Sequence, residues 1–138
     1  MSTPLSERKR NKLDVAVKAL DLMNHTVKVT SNEKIFIPKY KEHITDDIIE
    51  TVKQIYFCVW EANNIRVSTR EDWDLRNRLE RRAAAECNHL LSLIDIAGSV
   101  FHLRMRKVDF WAGKIITVRA MIKNWNESDS KRYSKLKE

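Results

Sequence analysis

Apolar residues recur every three or four positions through most of the chain, which is the spacing of one face of an α-helix. The first such segment runs from about Glu7 to Thr30, and its recurring residues are Leu13, Ala16, Val17, Leu20, Met23 and Val27. A second segment begins at Thr45, which is placed to cap a helix with Asp46 and Asp47 in its first turn. The predicted core stripe of this second helix is Ile48, Val52, Ile55, Val59 and Ala62, widened by Ile49, Tyr56 and Trp60.

The stretch between these helices, from Glu33 to Ile44, has no sustained period and contains Pro38. A proline without flanking helical periodicity indicates a connector rather than a helix. We expect Ile35, Phe36 and Tyr40 to anchor this connector on the core.

Ser68, followed by Glu71, has the spacing of a capping box and predicts the start of a third helix. The longest apolar stripe of the chain follows it, through Leu75, Leu79, Ala83, Cys87, Leu90, Ile94, Ala97 and Phe101. Arg76 lies nearer the core side than the other arginines, and the alternative for it is a partly buried pairing residue, for example with a first-turn acid of another helix. We expect the third helix to end between Arg104 and Lys107. A fourth helix then carries Val108, Trp111, Ile115, Val118, Ile122 and Trp125 on one side.

Amphipathic helices joined by short connections bury their apolar stripes most simply as an antiparallel four-helix bundle, so the fold class is predicted to be all-α. The 138 residues include only two glycines and two prolines, which leaves few positions for β-turns. The predicted division is a basic N-terminal extension at 1–12, the bundle at 13–126 and a charged C-terminal tail at 127–138. No stretch approaches the length of a membrane span, so we expect a cytoplasmic protein with no membrane partner.

The second half of the third helix is apolar around most of its circumference, whereas a bundle helix needs only one buried face. Leu93, Ile96, Val100 and Leu103 are predicted to point away from the main stripe, beside the small residue Ser99. Ile96, Ser99 and Leu103 are therefore predicted to form the interface of a homo-oligomer. The alternative is that the connector covers these residues within one chain.

Catalytic machinery is not recognisable in the sequence. His25, His43, His89 and His102 lack the spacing of a metal-binding pair, so no metal or other cofactor is expected. Paired acids occur in first helical turns, where the helix dipole already favours them. Cys58 and Cys87 lie within helical patterns and are interpreted as core residues. The sequence predicts that the chain is not an enzyme.

The formal net charge of +7 favours an anionic partner such as RNA or DNA. Helical periodicity places the candidate nucleic-acid-binding residues away from the core stripes: Arg70, Arg78, Arg81, Arg82, Arg106, Arg119 and Lys123. Clusters of this kind suit phosphate contacts. Aromatic residues lie mostly at core spacing, so no base-stacking platform is predicted. The alternative interpretation is a basic surface that only keeps the protein soluble.

Three segments carry a family resemblance: LDVAVKALDLMNHTVKVTSNEKIF at 13–36, ITDDIIETVKQIYFCVWEANNIRV at 44–67, and AAAECNHLLSLIDIAGSVFHLRMRKVDFW at 83–111. In these segments the chain resembles the accessory variability determinant proteins of diversity-generating retroelements. That group is related to the four-helix proteins encoded in ribosomal RNA intervening sequences. The resemblance covers about residues 13–125 and is a pattern of helix lengths and helix ends rather than a catalytic signature.

The resemblance implies a homopentameric barrel of four-helix bundles with a basic surface. It also implies binding to a reverse transcriptase and to its template RNA, in support of mutagenic cDNA synthesis. The accessory protein of that family is not itself a catalyst, so no catalytic residue is carried over. The alternative is a structural or regulatory helical oligomer of the intervening-sequence type that binds a protein partner.

Overall fold

A computed structural model describes residues 5–137, with side chains from residue 14 onward. This part of the chain contains four α-helices, namely α1 (Leu5–Thr30), α2 (Asp46–Asn64), α3 (Arg70–Val100) and α4 (Met105–Tyr133). A 3-10 turn at Pro38–Tyr40 and a π-helical turn at Lys41–Thr45 connect α1 to α2. No strand occurs between residues 5 and 137, so the prediction of an all-helical fold with four helices is confirmed.

The apolar core is shared by all four helices. The predicted stripe of α2 is confirmed, as is that of α4 from Trp111 to Trp125, because every one of these residues is buried. The connector is anchored as expected, since Phe36 is buried and its ring centroid lies 4.7 Å from that of Phe101. Ile35 and Tyr40 pack against the same core.

Each helix packs on its neighbours in the chain, and α1 also packs on α4. Polar pairs that join α3 to α4 include Arg76–Asp129, Asn77–Asn126, Glu80–Asn126 and Asn88–Arg119. Those that join α1 to α4 are Asp21–Lys114 and Thr26–Trp111. In both sets the residue numbers rise along one helix while they fall along the other.

The predicted core stripe of α1 is wrong for Val17, Leu20 and Val27 and right for Ala16 and Met23, which pack against the core. The buried residues of this helix are Val15, Ala19, Leu22, Thr26 and Thr30, whereas Val17 is 51% exposed and Leu20 and Val27 are also exposed. Threonines can occupy the inner face because their hydroxyls are satisfied there. Thr30 Oγ1 donates to the Thr26 carbonyl at 2.8 Å, and Thr26 Oγ1 accepts from Trp111 Nε1 at 3.0 Å. The more regular apolar stripe therefore marks the outer face of α1; the Leu13 side chain lies outside the described residues.

The predicted core stripe of α3 is wrong in its first turns and right farther along. Leu75 is 44% exposed, and the core positions there are Trp73, Arg76 and Glu80. Leu93 was predicted to point outward but is buried. The helix ends at Val100, earlier than expected, and α4 begins at Met105 after a turn in which His102 adopts a left-handed conformation with φ 54°.

The N-cap of α3 differs from the predicted one, whereas α2 is preceded by Thr45 as predicted but without a capping bond. At α3 the cap is Thr69, one residue after Ser68: its Oγ1 accepts from the Asp72 N–H, and Asp72 Oδ2 accepts from the Thr69 N–H, each at 3.1 Å. Ser68 also donates to Asp72, and Glu71 is not the capping-box partner. At α2, Thr45 is itself helical because it ends the π-helical turn, and its side chain makes no cap hydrogen bond.

The helices extend beyond both predicted limits of the bundle. α4 continues through 127–133, part of the expected tail, because Asp129 is buried and Tyr133 packs near Trp73 with ring centroids 5.6 Å apart. α1 begins at Leu5, within the expected extension at 1–12, whose basic side chains lie outside the described residues. Between residues 5 and 137 no helix combines the length and apolarity needed to cross a bilayer.

Candidate nucleic-acid interface

An open groove of about 670 Å³ runs between α3 and α4 and is lined by three cationic side chains, Arg81, Lys123 and Lys131. The two helices contribute facing positions to it. Ala84 and Ala85 of α3 lie along the groove, and their small side chains leave room between the longer residues on each side. Asn88, Asn126 and Ser130 supply neutral hydrogen-bonding groups. We call this feature the α3/α4 groove.

The α3/α4 groove keeps an excess of positive charge. Its acidic lining residues are Glu127, which pairs with Lys131 at 3.6 Å, and Glu80 in the floor. Burial raises the pKa of Glu80 to about 8, so this carboxyl is mainly protonated at neutral pH and does not cancel a cation. A polyanion that enters the groove meets three cations and one ionised acid.

A buried charge network lies beneath the groove floor. Arg76 Nε donates to Asp129 Oδ2 at 2.9 Å and to Glu80 Oε2 at 3.2 Å, and Arg76 Nη1 donates to the Ile65 carbonyl at 3.1 Å. The guanidinium carbon also lies 5.3 Å from the ring centroid of Trp125. One arginine thereby ties α3 to α4 and to the segment that follows α2.

Two carboxyl groups share this one guanidinium, so the network needs a proton to reach neutrality. Burial is the main cause of the raised pKa of Glu80, and the Asp129 carboxyl adds to it through a shared hydrogen bond and charge repulsion. Asn126 Nδ2 donates to Glu80 Oε1 at 2.8 Å and opposes the shift. At neutral pH we assign this proton to Glu80. We assign the network a structural role, the alignment of the two walls of the groove.

The other predicted nucleic-acid-binding residues do not all lie in this groove. Arg119 is adjacent to it and half-buried, and its Nη1 donates to Asn88 Oδ1 at 2.8 Å. Arg78 is exposed on the outer side of α3, and Arg82 is turned toward α2, where its Nη2 donates to Gln54 Oε1 at 3.3 Å. Arg119 therefore borders the groove through Asn88, whereas Arg78 and Arg82 are not among its lining residues.

Arg70 and Arg106 are separate from the groove. The Arg70 guanidinium pairs with Asp74 at 3.1 Å and donates to the carbonyl oxygens of Ser134 and Leu136, so it fastens the C-terminal end of the described chain. Arg106 lies in the first turn of α4, about 25 Å along the helix axis from Lys123 at 1.5 Å per residue.

Lys131 was predicted to lie with other cations in the charged C-terminal tail and not among the site residues, because the predicted bundle ended at 126. Helical periodicity could have indicated it in part, because a helix that continues past Trp125 brings Asp129 to the core and Lys131 to the groove wall. This continuation was not recognised because Asp129 is charged, and a charged residue interrupts an apolar stripe. Arg76 and Glu80 interrupt the stripe of α3 in the same way.

The predicted interface residues separate into two environments. Ile96 is 48% exposed and Ser99 is exposed, whereas Leu103 is half-buried and packs against the core. The connector covers Phe101 through Phe36 and Tyr40 but leaves Val100 exposed. We call Ile96, Ser99 and Val100 the α3 patch.

A second exposed apolar surface lies on α1 and α2. Trp60, predicted to widen the core stripe of α2, is 54% exposed, and Phe57 beside it is exposed as well. Asp21 faces α4, so Leu20 and Val27 lie on the opposite flank of α1, toward α2. By the same periodicity Gln54 faces α3 and Trp60 lies toward α1. The α1/α2 patch consists of Val17, Leu20, Val27, Phe57 and Trp60.

Metal and thiol chemistry find little support in this part of the chain. Within residues 5–137 no cluster of three histidine, cysteine or acidic side chains is arranged to hold a metal ion. Both cysteines are buried and free, and burial raises the pKa of the Cys87 thiol to about 12 and also raises that of Cys58. These thiols are therefore poor nucleophiles at neutral pH.

No family model, curated protein or solved structure matches this chain.

Proposed function

We propose that this chain is a non-catalytic, cytoplasmic accessory protein of a diversity-generating retroelement. It binds the reverse transcriptase and its template RNA, and it supports mutagenic cDNA synthesis by holding the RNA near the polymerase. The observation that carries this proposal is the α3/α4 groove, in which Arg81, Lys123 and Lys131 converge from two helices. The resemblance of residues 13–36, 44–67 and 83–111 to that family supports it.

The groove suits the sugar–phosphate backbone of RNA better than it suits a small substrate. Lysine and arginine side chains on both walls can each neutralise a phosphate and release counterions. Asn88, Asn126 and Ser130 add uncharged hydrogen-bonding groups, which position a backbone without reading sequence. We therefore expect binding that depends strongly on salt and weakly on RNA sequence.

The proposed scaffold is an antiparallel four-helix bundle that assembles as a homo-oligomer, a pentameric ring by resemblance. The opposed numbering of the contacts between α3 and α4 and between α1 and α4 supports the antiparallel arrangement. The α1/α2 patch and the α3 patch support assembly, because they lie on different helices of one subunit. Two different patches that fit each other generate a head-to-tail contact, and such a contact forms a ring when its rotation closes.

The groove is tested by removing two of its cations and comparing the result with an equal loss of charge elsewhere. Arg81→Ala with Lys123→Ala should lower RNA affinity, because two phosphate contacts disappear. The matched control is Lys39→Ala with Lys53→Ala, which removes the same charge from exposed positions on the connector and α2. Fluorescence anisotropy with a labelled RNA should show at least a tenfold greater loss for the groove pair than for the control pair. Equal losses would mean that the groove is not the contact.

The reverse-transcriptase contact needs a separate test, because RNA binding alone does not require a polymerase partner. We expect the chain to co-purify with the reverse transcriptase encoded in the same element after nuclease treatment has removed RNA. We also expect cDNA synthesis on the cognate template to fall when the chain is omitted. Unchanged synthesis in its absence would contradict the accessory role.

The exposed apolar patches favour a second candidate function. In that case the chain is a structural or regulatory helical oligomer of the intervening-sequence type, and its patches bind a protein partner while its charge maintains solubility. This candidate predicts that the groove pair and the control pair behave alike in RNA binding. It also predicts that Trp60→Glu abolishes capture of the partner.

A further inference from the structure

A pocket of about 500 Å³ lies at the end of the bundle where α1 ends and α4 begins. Aromatic side chains line it. The His25 ring packs edge-on to Phe110 at 5.4 Å and to Trp111 at 6.3 Å between centroids. Trp111 borders the pocket but is only 1% exposed, and its Nε1 donates to Thr26, so it closes the pocket wall and is not open to a ligand. Phe110 also lines this pocket and is 59% exposed, with Lys114 Nζ 5.2 Å from its ring centroid, although the sequence predicted no base-stacking platform.

Three cations line the same pocket: Lys28 from the last turn of α1, and Arg106 and Lys107 from the first turn of α4. No acidic residue is among its lining residues, and the first turn of α4 contains no acid. Cations at this end of a helix are disfavoured by the helix dipole, so helix stability does not explain Arg106 and Lys107. An anionic ligand would offset that repulsion.

The neutral groups of the pocket suit a heterocyclic ring. Burial lowers the pKa of His25, with Lys114 contributing, so the imidazole is mainly uncharged at neutral pH. An uncharged imidazole both donates and accepts hydrogen bonds, as the side-chain amide of Asn32 in the lining can do. Apolar ring surfaces beside donors, acceptors and external cations are the elements by which proteins hold an unstacked base and its flanking phosphates.

We propose that this pocket binds one unpaired base of a single-stranded RNA, with Phe110 as its stacking surface and Lys28, Arg106 and Lys107 contacting the flanking phosphates. This inference rests on the proposed function, since it assumes that the chain binds RNA. It adds a second contact point about 25 Å along α4 from the α3/α4 groove, at 1.5 Å per residue. It also makes part of the binding dependent on the base rather than on the backbone alone.

The test uses two probes of equal length and charge, a labelled oligouridylate and its abasic counterpart, with affinities measured by anisotropy at fixed salt. Phe110→Ala should weaken binding of the oligouridylate about tenfold and leave binding of the abasic strand unchanged. The matched control is Ile116→Ala, which removes another exposed apolar side chain of α4 and should change neither affinity. Arg106→Ala with Lys107→Ala should weaken both probes.

A measurement on the unaltered chain makes the result independent of any substitution. Photo-crosslinking of an oligonucleotide that carries 5-iodouridine should attach at Phe110 or His25. Crosslinks found only outside this pocket would overturn the inference, as would wild-type chain that binds both probes equally tightly. In either case the RNA-binding proposal would survive. If the wild-type chain bound neither probe at low salt, both proposals would fail together.

Discussion

Arg76 joins more of the structure than any other charged side chain of α3, because its guanidinium contacts Asp129, Glu80 and the Ile65 carbonyl. A buried ion pair of this kind contributes little relative to an apolar replacement, but removal of one partner leaves the other charge uncompensated. The sequence placed Arg76 nearer the core side, with an acidic partner as an alternative. It could not identify Asp129, because that residue was assigned to the tail.

Replacement of Arg76 by alanine should destabilise the fold by about 3–5 kcal/mol, because Asp129 would remain buried and unpaired. Urea unfolding followed by circular dichroism measures the change. The matched control is Arg78→Ala, an exposed arginine on the same helix, which should change the free energy of unfolding by less than about 0.5 kcal/mol. Similar losses for the two variants would show that the network does not hold α3 to α4.

Glu80 should make stability depend on pH. Its pKa is raised from 4.5 to about 8 in the folded chain, so between these values the folded state holds a proton that the unfolded state has released. The free energy of unfolding must therefore fall as pH rises through this window and level off above it. Glu80→Gln keeps an uncharged hydrogen-bonding group and should flatten this dependence. The free energy of unfolding of the variant should therefore rise relative to that of the wild type from pH 5 to pH 9. Parallel pH profiles for the two proteins would contradict the assignment.

α1 shows most clearly what apolar periodicity can and cannot predict. The stripes of α2 and α4 were predicted correctly because their inner faces are continuous runs of apolar residues. In α1 the inner face contains Thr26 and Thr30. The Thr26 hydroxyl accepts from the Trp111 indole, and the Thr30 hydroxyl donates to the Thr26 carbonyl. The outer face, with Val17, Leu20 and Val27, is the more regular stripe, so periodicity alone selects it.

The two faces of α1 can be distinguished by paired leucine substitutions. Leu22→Ala should cost about 2–5 kcal/mol, because the side chain is fully buried and its loss leaves a cavity. Leu20→Ala, two residues away on the exposed face, should cost less than about 1 kcal/mol in the monomer. Urea unfolding at low protein concentration measures both. A larger loss of the free energy of unfolding for Leu20→Ala than for Leu22→Ala would support the core stripe predicted from sequence.

The start of α3 depends on a capping box that the sequence located to within one residue. Thr69→Ala should cost about 0.5–2 kcal/mol, since it removes the acceptor for the Asp72 N–H. Ser68→Ala should cost less, because Asp72 keeps its bonds to the Ser68 and Thr69 N–H groups. Thermal unfolding of the two variants ranks them, and the opposite ranking would favour Ser68 as the cap.

At the scale of the whole molecule, the sequence predicted the number and order of helices but not how their surfaces combine. The α3/α4 groove joins Arg81 and Lys123, which were both predicted, to Lys131, which was not. Arg70 and Arg106 were predicted with them but lie elsewhere, because periodicity fixes the side of a helix and not the neighbour on the next one. The α1/α2 patch was missed for the same reason.

Assembly through two different patches makes a specific prediction. Trp60→Glu in the α1/α2 patch and Ile96→Glu in the α3 patch should each dissociate the oligomer, because each buries an unpaired charge. A mixture of the two variants should form heterodimers but no ring. The intact α3 patch of the Trp60→Glu variant can bind the intact α1/α2 patch of the Ile96→Glu variant, and no intact patch is then left for a further subunit. Light scattering coupled to size-exclusion chromatography measures this. Ile116→Glu is the control that should keep the assembly, and a monomeric wild-type chain would contradict the proposal.

The most direct test of the central claim is the salt dependence of RNA binding by the wild-type chain. A labelled single-stranded RNA is titrated at a series of salt concentrations, and log K is plotted against log salt. The three groove cations of one subunit alone predict a straight line with a slope of roughly −2 or steeper, at about −0.7 for each phosphate contact to a single strand. No detectable binding at low salt, or an affinity that does not change with salt, would contradict the account.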